Sequence, residues 1–243
     1  MVKFLVLFGV LMFSVPCAFA RQFESDSFNT SRGVLRITFI GHGSVMFEFD
    51  GKIIYVDPYS KMADFTTLPK ADLILITHEH QDHLDTNALD ILRTPATTMV
   101  VTETVAGRLT GGIVMHNGDE RTVMGLKIEA VPAYNLVHMR SEGVPFHPKG
   151  VGNGYIITFG DKRVYIAGDT ENIPEMKNIK GIDIAFLPMN LPYTMTPEMV
   201  ADAAGSLKPK ILYPYHFGDT DTSKIVDLLK GEKEIEIRIR KMN

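Results

Sequence analysis

Cysteine is nearly absent from this sequence, because Cys17 is the only one among 243 residues. It lies in an N-terminal segment that we predict to be removed, so the mature protein would contain none. Disulfide bonds and thiolate metal ligands are therefore both excluded from the mature chain. A cysteine nucleophile is excluded for the same reason.

An excess of positive charge is also absent, since 25 lysines and arginines stand against 29 acids and the net charge is −4. A mildly acidic surface does not attract nucleic acid. Long apolar runs are lacking as well, because the stretch from Phe4 to Val15 is shorter than the about 20 apolar residues of a membrane span. We therefore expect neither a nucleic-acid partner nor a membrane span in the mature chain.

The first twenty residues have the pattern of a secretory signal peptide. Lys3 supplies one positive charge, an apolar stretch follows, and Ala18-Phe19-Ala20 provides the small residues of a cleavage site. We predict a signal peptide at residues 1–20 and one compact domain at residues 21–243, located in the periplasm or outside the cell. An N-terminal anchor that is not cleaved is the alternative.

Apolar runs of strand length occupy much of the chain. Predicted strands in its first part are Leu35–Ile40, Val45–Phe49 and Ile53–Val56. Asp50-Gly51 is a strong hairpin signal, and a similar hairpin pattern recurs at Phe159–Ile166. The second strand of each pattern leads to an aspartate, Asp57 in the first and Asp169 in the second, which predicts a duplicated β-rich unit. The polar residues 21–33 are predicted to form a loose lead-in.

Helical patterns are fewer. The predicted helices are Leu84–Leu92, Glu103–Leu109, Pro197–Leu207 and Thr222–Lys230. Thr196 as N-cap and Pro197 at the first helical position give the third of these a clear start. Ile235–Arg240 alternates strictly and predicts a terminal strand with one solvent-exposed face. Strands interleaved with helices indicate an α/β sandwich, with two mixed sheets inside and helices outside.

The sharpest chemical signal is the run Thr77-His78-Glu79-His80-Gln81-Asp82-His83, which follows the apolar strand Leu73–Ile76. Its imidazoles and carboxylate would converge on one point beyond the edge of the sheet. Imidazole nitrogen and carboxylate oxygen suit zinc, manganese or iron better than calcium or magnesium. A solvated loop is the alternative, but histidine is a common metal ligand and rarely clusters otherwise. We therefore predict a transition-metal site.

The pattern His78-x-His80-x-Asp82-His83 after a hydrophobic strand resembles the signature of the metallo-β-lactamase superfamily, and the resemblance covers nearly the whole mature chain. Within that superfamily the chain looks closest to bacterial and archaeal metal-dependent hydrolases that also resemble the N-acylphosphatidylethanolamine phospholipase D enzymes. The segments behind this closer resemblance are Gly41–Ser44, Val56–Pro58, Ala167–Thr170 and Tyr193–Met195. The resemblance implies a four-layer αββα sandwich built from two similar halves.

The resemblance also implies roles for residues outside the cluster. Asp169 matches an aspartate that bridges two metals, and His216 matches a histidine that binds the second metal. Asp57 matches an aspartate that hydrogen-bonds a metal-binding histidine and fixes its orientation. His42 lies where it would contact substrate or donate a proton, and a turn residue without a catalytic role is the alternative. Tyr193-Thr194-Met195 would line the pocket or belong to the core.

The sequence departs from the family pattern at the third histidine of the first metal. A His-Thr-Pro-Gly motif usually follows the matching strand, but here the strand Ile128–Tyr134 ends in Asn135. Three candidates remain, Asn135 itself, His138 and His147, and the spacing from His147 through Gly150 into the next strand best reproduces the pattern. We therefore choose His147, which makes residues 136–146 an inserted loop over the pocket. Asn135 would be a poor zinc ligand but an acceptable oxygen donor.

The resemblance thus implies two adjacent metal sites that share Asp169. The predicted ligands are His78, His80 and His147 for the first metal, and Asp82, His83 and His216 for the second. Two divalent ions, zinc with manganese or iron as alternatives, lower the pKa of a bridging water and so supply hydroxide at ordinary pH. That hydroxide would attack a carbonyl carbon or a phosphorus, and Asp82 and His42 are the residues that we assign to catalysis.

Two classes of function fit these predictions. The first is a metal-dependent hydrolase that acts on a phosphodiester or another ester of a small-molecule or lipid-type substrate, ahead of lactones and amides. The phosphodiester preference comes from the resemblance alone. The second is a catalytically silent metal-binding or sensor module whose pocket is closed by the loop at residues 136–146. Turnover of generic phosphodiesters or esters with added zinc or manganese would separate the two.

Overall fold

Two seven-stranded sheets form the centre of the structure, a computed structural model that describes residues 23–242. In chain order the strands are β1 (Glu24–Thr30), β2 (Gly33–Gly41), β3 (Ser44–Phe49), β4 (Lys52–Val56), β5 (Leu73–Leu75), β6 (Thr98–Val101), β7 (Ile113–Val114), β8 (Glu120–Val123), β9 (Leu126–Ala133), β10 (Met139–Ser141), β11 (Val144–Pro145), β12 (Gly152–Phe159), β13 (Lys162–Ile166), β14 (Ile184–Pro188), β15 (Ile211–Tyr215) and β16 (Glu236–Ile237). The predicted signal peptide at residues 1–20 lies outside the described residues.

Each large sheet has an antiparallel part followed by a parallel part. In the first sheet β1, β2, β3 and β4 are antiparallel neighbours, and β5, β6 and β7 add in parallel. In the second sheet β8, β9, β12 and β13 are antiparallel, and β14, β15 and β16 add in parallel. The predicted α/β architecture of two mixed sheets from two similar halves is therefore confirmed. Strands β10 and β11 pair only with each other in the described chain.

The two hairpins that the sequence indicated are both formed. Asp50 and Gly51 make the turn between β3 and β4, with φ angles of 52° and 70°. Two-residue hairpin turns of this kind need positive φ at both positions, which favours an aspartate or asparagine followed by glycine. Gly160 and Asp161 make the two-residue turn between β12 and β13, where only Gly160 has a positive φ, 62°. A short turn that contains glycine and aspartate thus joins the corresponding strand pair in each half.

The α-helices of the described chain are α1 (Thr86–Leu92), α2 (Glu103–Ala106), α3 (Pro197–Leu207) and α4 (Ser223–Leu228). The side chain of Asp85 accepts hydrogen bonds from the backbone N–H groups of Asn87 and Ala88, so α1 begins two residues later than predicted. Thr196 caps α3 and Pro197 occupies its first position, as predicted. No helix within residues 23–242 is long and apolar enough to cross a membrane.

The main hydrophobic core lies between the two sheets. Phe47 of β3 stacks on Phe159 of β12 with ring centroids 5.2 Å apart, and Phe39 of β2 packs against Tyr213 of β15 at 4.8 Å. Fully burying a side chain of this kind contributes roughly 1.5–3 kcal/mol. Leu89 of α1 belongs to a second cluster on the outer face of the first sheet. Helix, sheet, sheet and helix therefore follow one another as layers.

The prediction of a loose lead-in at residues 21–33 is wrong, because β1 pairs with β2 along its whole length. This strand is polar since it lies at the edge of the sheet, with side chains that are exposed or half-buried. The hydrophobic alternation from which strands are predicted is therefore weak there. The predicted terminal strand at Ile235–Arg240 is shorter than expected, because only Glu236–Ile237 pairs with β15.

Asp26 on β1 joins the start of the described chain to its end. Its carboxylate accepts hydrogen bonds from the Tyr213 hydroxyl and from the guanidinium groups of Arg238 and Arg240, the latter two at 3.1 and 2.7 Å. Burial raises the pKa of Asp26, but the hydrogen bonds from Arg240, Tyr213 and Arg238 outweigh it and hold the pKa below its ordinary value of 3.8. Asp26 is therefore ionised in the folded protein at neutral pH.

We expect Asp26→Asn to lower the free energy of unfolding by about 1.5–3 kcal/mol at neutral pH, because charge-assisted hydrogen bonds are lost. A carboxyl group with a lowered folded pKa stabilises the fold above its unfolded pKa, and this contribution is lost as the pH falls through the folded value. The difference between the two proteins should therefore shrink below pH 3.8. Urea denaturation across a pH series measures it.

Asp50→Asn is the control for this comparison. Asp50 forms an exposed ion pair with Arg32 at 2.9 Å, and exposed pairs contribute at most about 1 kcal/mol. A loss for Asp26→Asn no larger than this, or one that stays undiminished in acid, would contradict the role assigned to Asp26.

Candidate metal centre

Strand ends from both sheets meet at one edge of the sandwich. The cluster His78–His83 follows β5, and Asp57 follows its parallel neighbour β4. In the second sheet Asp169 follows β13 and His216 follows β15. Parallel strands place their carboxyl ends at one edge of a sheet, which is where ligands bind in open α/β sheets. The backbone N–H of His216 donates to the carbonyl oxygen of His42 at 3.1 Å, so the two halves touch here.

Asp57 is a fully buried carboxylate that organises the cluster. It accepts hydrogen bonds from the backbone N–H of Thr77 at 2.8 Å, from the Thr77 hydroxyl at 2.6 Å and from Nδ1 of His83 at 2.8 Å. The same hydroxyl lies 3.0 Å from Nδ1 of His78, whose proton it can accept. Hydrogen bonds at Nδ1 fix the tautomer and leave Nε2 of both imidazoles to face the site.

The first group of donor atoms belongs to His78, His80 and His147, and these atoms lie within 4.8 Å of one another. Nε2 of His78 is 3.1 Å from Nδ1 of His80, and the ring centroids of His80 and His147 are 4.9 Å apart. Nε2 of His147 lies 3.3 Å from Oδ2 of Asp169. The structure thus brings together the three histidines that the sequence assigned to the first metal.

The other candidates for the third histidine position lie beside this group. Asn135 is buried, and its Oδ1 accepts hydrogen bonds from Nδ1 of His147 at 2.6 Å and from the backbone N–H of the same residue at 2.9 Å. His138 turns to Glu171 instead, with Nδ1 2.7 Å from Oε1. His116 is an exposed loop residue away from the site. Asn135 therefore contacts a donor residue through its hydrogen bonds to His147, and His138 belongs to no His/Asp donor group within residues 23–242.

The second group of donor atoms belongs to His42, Asp82, His83 and His216, again within 4.8 Å of one another. Oδ2 of Asp82 lies 3.6 Å from Nε2 of His216 and 3.8 Å from Nε2 of His83. Nε2 of His42 lies at hydrogen-bond distance from the same oxygen, 2.9 Å, and is its closest imidazole contact. His42 thus reaches across from the end of β2 to a predicted metal ligand.

Asp169 lies between the two groups and is approached by imidazoles from both. The distances from its carboxylate oxygens are 3.3 Å to His147, 3.4 Å to His83, 3.7 Å to His216 and 3.9 Å to His78. Burial alone would raise the pKa of Asp169, but the imidazoles of His216 and His83 hold it well below its usual range. An ionised carboxylate in this position is what a bridging ligand requires.

The protonation of two neighbouring histidines fits a cation at this place. Burial lowers the pKa of His78 well below its usual range, and the nearby His83 adds to the effect, so His78 is the neutral imidazole that metals bind. Burial also opposes the charged form of His83, but Asp169 and Asp57 outweigh it and raise that pKa well above its usual range. The surroundings of His83 therefore favour a positive charge, which a metal ion can supply in place of the proton.

Several buried polar atoms at the centre of the site lack a hydrogen-bond partner among the described residues. They are Nε2 of His83, Nε2 of His147, both ring nitrogens of His216 and Oδ1 of Asp169. Leaving such an atom without a partner costs about 1–3 kcal/mol. Imidazole and carboxylate donors suit zinc and related transition metals. The residues present therefore fit divalent metal ions.

Backbone strain is concentrated at this edge. His42, Asp57 and His216 have φ angles of 54°, 45° and 46°, in the left-handed region that residues other than glycine rarely adopt. Such conformations cost roughly 1–3 kcal/mol each and persist only where the surrounding contacts impose them. Gly43 is needed for a different reason, because a Cβ atom there would lie 3.0 Å from Cε1 of His83. These strained conformations direct the side chains of His42, Asp57 and His216 into the site.

A pocket of about 520 Å³ opens over the donors. Residues 139–145, which were predicted as part of a loop, form the hairpin of β10 and β11 beside this pocket. The guanidinium of Arg140 lies 3.4 Å from Nε2 of His80 and 5.8 Å from the ring centroid of Phe146. Tyr193 packs against Phe146 with ring centroids 5.0 Å apart. The pocket wall is therefore partly aromatic and carries a positive charge.

Sequence reasoning missed Arg140, Phe146 and Glu171 as residues of the site. Glycine at position 143, with φ of 71°, was a local signal for the hairpin turn. No local signal connects Arg140 with His80, which lies 60 positions earlier. Of the predicted segment Tyr193-Thr194-Met195, only Tyr193 lines the pocket, and the other two residues are fully buried in the core.

We expect Asp57→Asn to weaken metal binding about 10- to 100-fold, because an amide cannot accept all the hydrogen bonds that orient His83 and Thr77. Metal content after dialysis against graded chelator concentrations measures the effect. Asp72→Asn is the matched control, since Asp72 accepts from the backbone N–H of Ile53 at 2.8 Å and lies at the opposite end of β5. Equal metal retention by Asp57→Asn and the unaltered protein would contradict the assignment.

Comparison with known proteins identifies the family. Residues 36–216 match the family model of the Beta-lactamase superfamily domain. A UPF0173 metal-dependent hydrolase of Methanopyrus kandleri is 32% identical over 196 residues, which cover 76% of this chain and 84% of that protein.

Solved structures agree with this result. A crystal structure from Parabacteroides distasonis, described as a candidate metal-dependent hydrolase, is 52% identical with a TM-score of 0.87 and covers 91% of this chain and 100% of its own. A metallo-β-lactamase fold protein of Bacillus subtilis is 16% identical with a TM-score of 0.69, covers 84% of this chain and 95% of its own, and shows the fold alone. The superfamily and fold expected from the sequence are thus confirmed. The chain belongs to the UPF0173 metal-dependent hydrolase family of the metallo-β-lactamase superfamily.

Proposed function

We propose that this protein is a binuclear metal-dependent hydrolase that cleaves a phosphodiester in a lipid-type or other amphiphilic substrate. The observation that carries the proposal is the arrangement of two donor groups on either side of Asp169, with a pocket over both. Two divalent ions, for which zinc fits the donors best, would supply an activated water near neutral pH and positive charge beside the developing oxyanion. The ligand assignment is His78, His80 and His147 for one ion, Asp82, His83 and His216 for the other, and Asp169 for both.

His42 is the proposed acid-base residue. Burial lowers the pKa of His42, and the hydrogen bond with Asp82 offsets this only in part. The imidazole is therefore neutral near pH 7, with a proton on Nε2 donated to Asp82. Its other ring nitrogen can take a proton from a reacting group and return it to the leaving oxygen. Asp82 has two duties in this arrangement, metal binding and the orientation of His42.

The pocket wall favours an anionic group as part of the substrate. Arg140 brings a planar guanidinium beside His80, at the first donor group. Arginine recognises phosphate through paired, charge-assisted hydrogen bonds. Lactones and neutral amides offer no negative charge to this residue. A phosphodiester therefore matches the pocket better than either of them.

The rim of the pocket favours an apolar part in the same substrate. Two segments that contribute residues to the pocket lining, 136–146 and 191–193, carry large apolar side chains that are at least 40% exposed: Leu136, Val137, Met139, Val144, Leu191 and Tyr193. Grouped exposed apolar residues mark interaction sites in soluble proteins. An acyl or alkyl chain would cover them. The resemblance to the N-acylphosphatidylethanolamine phospholipase D enzymes points to the same kind of substrate.

A catalytically silent binding module fits the geometry less well. That alternative required residues 136–146 to close the pocket. The hairpin of β10 and β11 instead borders a pocket of about 520 Å³ whose lining includes His80, Asp82 and His147. An accessible pocket over a metal centre is what a hydrolase requires.

Metal-loaded protein should hydrolyse bis(p-nitrophenyl) phosphate and phospholipid phosphodiesters faster than lactones. Asp82→Ala and His83→Ala should lose metal and activity together, because both residues are assigned ligands. His42→Ala should keep its metal and lose about 10²- to 10⁴-fold in kcat/KM. His116→Ala is the control outside the site. Tight metal binding without any turnover would favour the binding module, and unchanged metal content and activity in Asp82→Ala would overturn the site assignment.

Arg140→Ala tests the substrate class in the same assays. The KM for the phosphodiester should rise about 10- to 100-fold, because a charge-assisted hydrogen bond contributes about 1.5–3 kcal/mol. Arg140→Lys should recover part of this loss. An uncharged ester should be almost unaffected, and an equal loss for charged and uncharged substrates would contradict the proposed phosphate contact.

We further propose that the protein acts in the periplasm or outside the cell. The support is the charged, apolar and small-residue pattern of residues 1–20. The mass of the protein recovered from its native cells should correspond to a chain that starts at Arg21. A mass that includes Met1 or the apolar stretch would contradict cleavage.

A further inference from the structure

Glu171 is a fully buried carboxylate that the proposed catalysis does not use. It accepts hydrogen bonds of 2.7 Å from three consecutive backbone N–H groups, those of Leu136, Val137 and His138. Nδ1 of His138 lies 2.7 Å from it as well. A buried carboxylate without such donors would cost several kcal/mol. Glu171 therefore fixes the start of the segment that leads to His147.

Asn135 connects Glu171 to His147. From Nδ2 it donates to Oε1 of Glu171 at 3.1 Å and to the carbonyl oxygen of Tyr193 at 2.9 Å. Its Oδ1 accepts from Nδ1 of His147 at 2.6 Å and from the backbone N–H of the same residue at 2.9 Å. The backbone N–H of Asn135 in turn donates to the carbonyl oxygen of His147 at 2.9 Å. Both polar atoms of this asparagine side chain are thus hydrogen-bonded, Nδ2 as a donor and Oδ1 as an acceptor, so the amide can adopt only one orientation.

This orientation decides the tautomer of His147. Because Oδ1 of Asn135 can only accept, Nδ1 of His147 must carry the proton. Nε2 is then the ring nitrogen that remains for a metal, and it is buried and 3.3 Å from Oδ2 of Asp169. An imidazole binds a metal through its unprotonated nitrogen, and the hydrogen bond at the other nitrogen sets which one that is.

The hairpin before His147 cannot provide the same support. β10 and β11 form a two-stranded sheet of their own, and every residue of β10 is exposed. A two-stranded hairpin on its own is at best marginally stable in water. The position of His147 therefore depends on the contacts at the base of the hairpin, where Asn135 and Glu171 lie.

We propose that Glu171 and Asn135 are positioning residues that hold His147 as the third imidazole of the first metal site. This inference rests on the proposed metal centre, since it names the groups that set one of its ligands. The asparagine stands where the family pattern has a histidine, and here it acts on the ligand rather than as the ligand. The second site takes its orientation from Asp57 through His83. Loss of the Glu171–Asn135 pair should therefore affect one site only.

Chelator competition that resolves the two sites tests this proposal in Glu171→Gln and Asn135→Ala. We expect zinc affinity to fall about 10- to 100-fold at one site and to stay unchanged at the other. Glu175→Gln is the matched control, because Glu175 bonds Tyr134 and Lys149 in the same region and should leave both sites unchanged. No loss at either site would overturn the proposal. An equal loss at both sites would also overturn it, since that is the effect of a general structural defect.

Nitrogen NMR of the unaltered, metal-free full chain with labelled histidine provides a measurement that needs no variant. We expect Nδ1 of His147 to carry a proton that is hydrogen-bonded to Oδ1 of Asn135. An unprotonated Nδ1, alone or mixed with the protonated form, would overturn the proposal. This result is independent of catalysis. If the protein binds no metal, the proposed function fails, while the tautomer of His147 still decides whether Asn135 and Glu171 position it.

Discussion

The carboxylate of Asp57 is the interaction on which the metal centre depends. It is fully buried and holds His83 directly and His78 through the hydroxyl of Thr77. One side chain therefore orients an imidazole in each donor group. A carboxylate buried to this depth is tolerable only because hydrogen-bond donors saturate it. Asp57 has a strained left-handed backbone conformation, which directs its side chain toward Thr77 just beyond the end of β5.

The duplicated architecture explains why the centre forms at the junction of the two halves. Asp57 and Asp169 follow equivalent strands, β4 and β13, in equivalent hairpin units. Asp57 accepts hydrogen bonds from Thr77 and from the donor residue His83, whereas Asp169 faces the donor nitrogens of His83 and His147. Each repeated unit thus contributes one carboxylate to the site. Asp57 orients histidines, whereas Asp169 lies where it can bind metal. Neither half contains a complete donor set, so the site exists only when the two sheets are packed together.

The fold and most of the donor set could be predicted because their signals are local. Hairpin turns and apolar strands followed by His or Asp are visible within a few residues. The third histidine could not be fixed in this way, since the choice of His147 depends on Asn135, Glu171 and Asp169, and Asn135 meets Glu171 across 36 positions. Residues 24–30 were missed because an edge strand lacks the apolar alternation of a buried one. Arg140 was missed because its partner His80 is even more remote in sequence, 60 positions away.

Diffraction at the zinc absorption edge, from crystals of zinc-loaded protein, would locate the metal ions directly. Two anomalous peaks are expected on either side of the Asp169 carboxylate, one bound by His78, His80 and His147 and the other by Asp82, His83 and His216. Asn135 should contact His147 and not the metal. A metal bound by Asn135 or His138, or zinc peaks away from Asp169, would contradict the account.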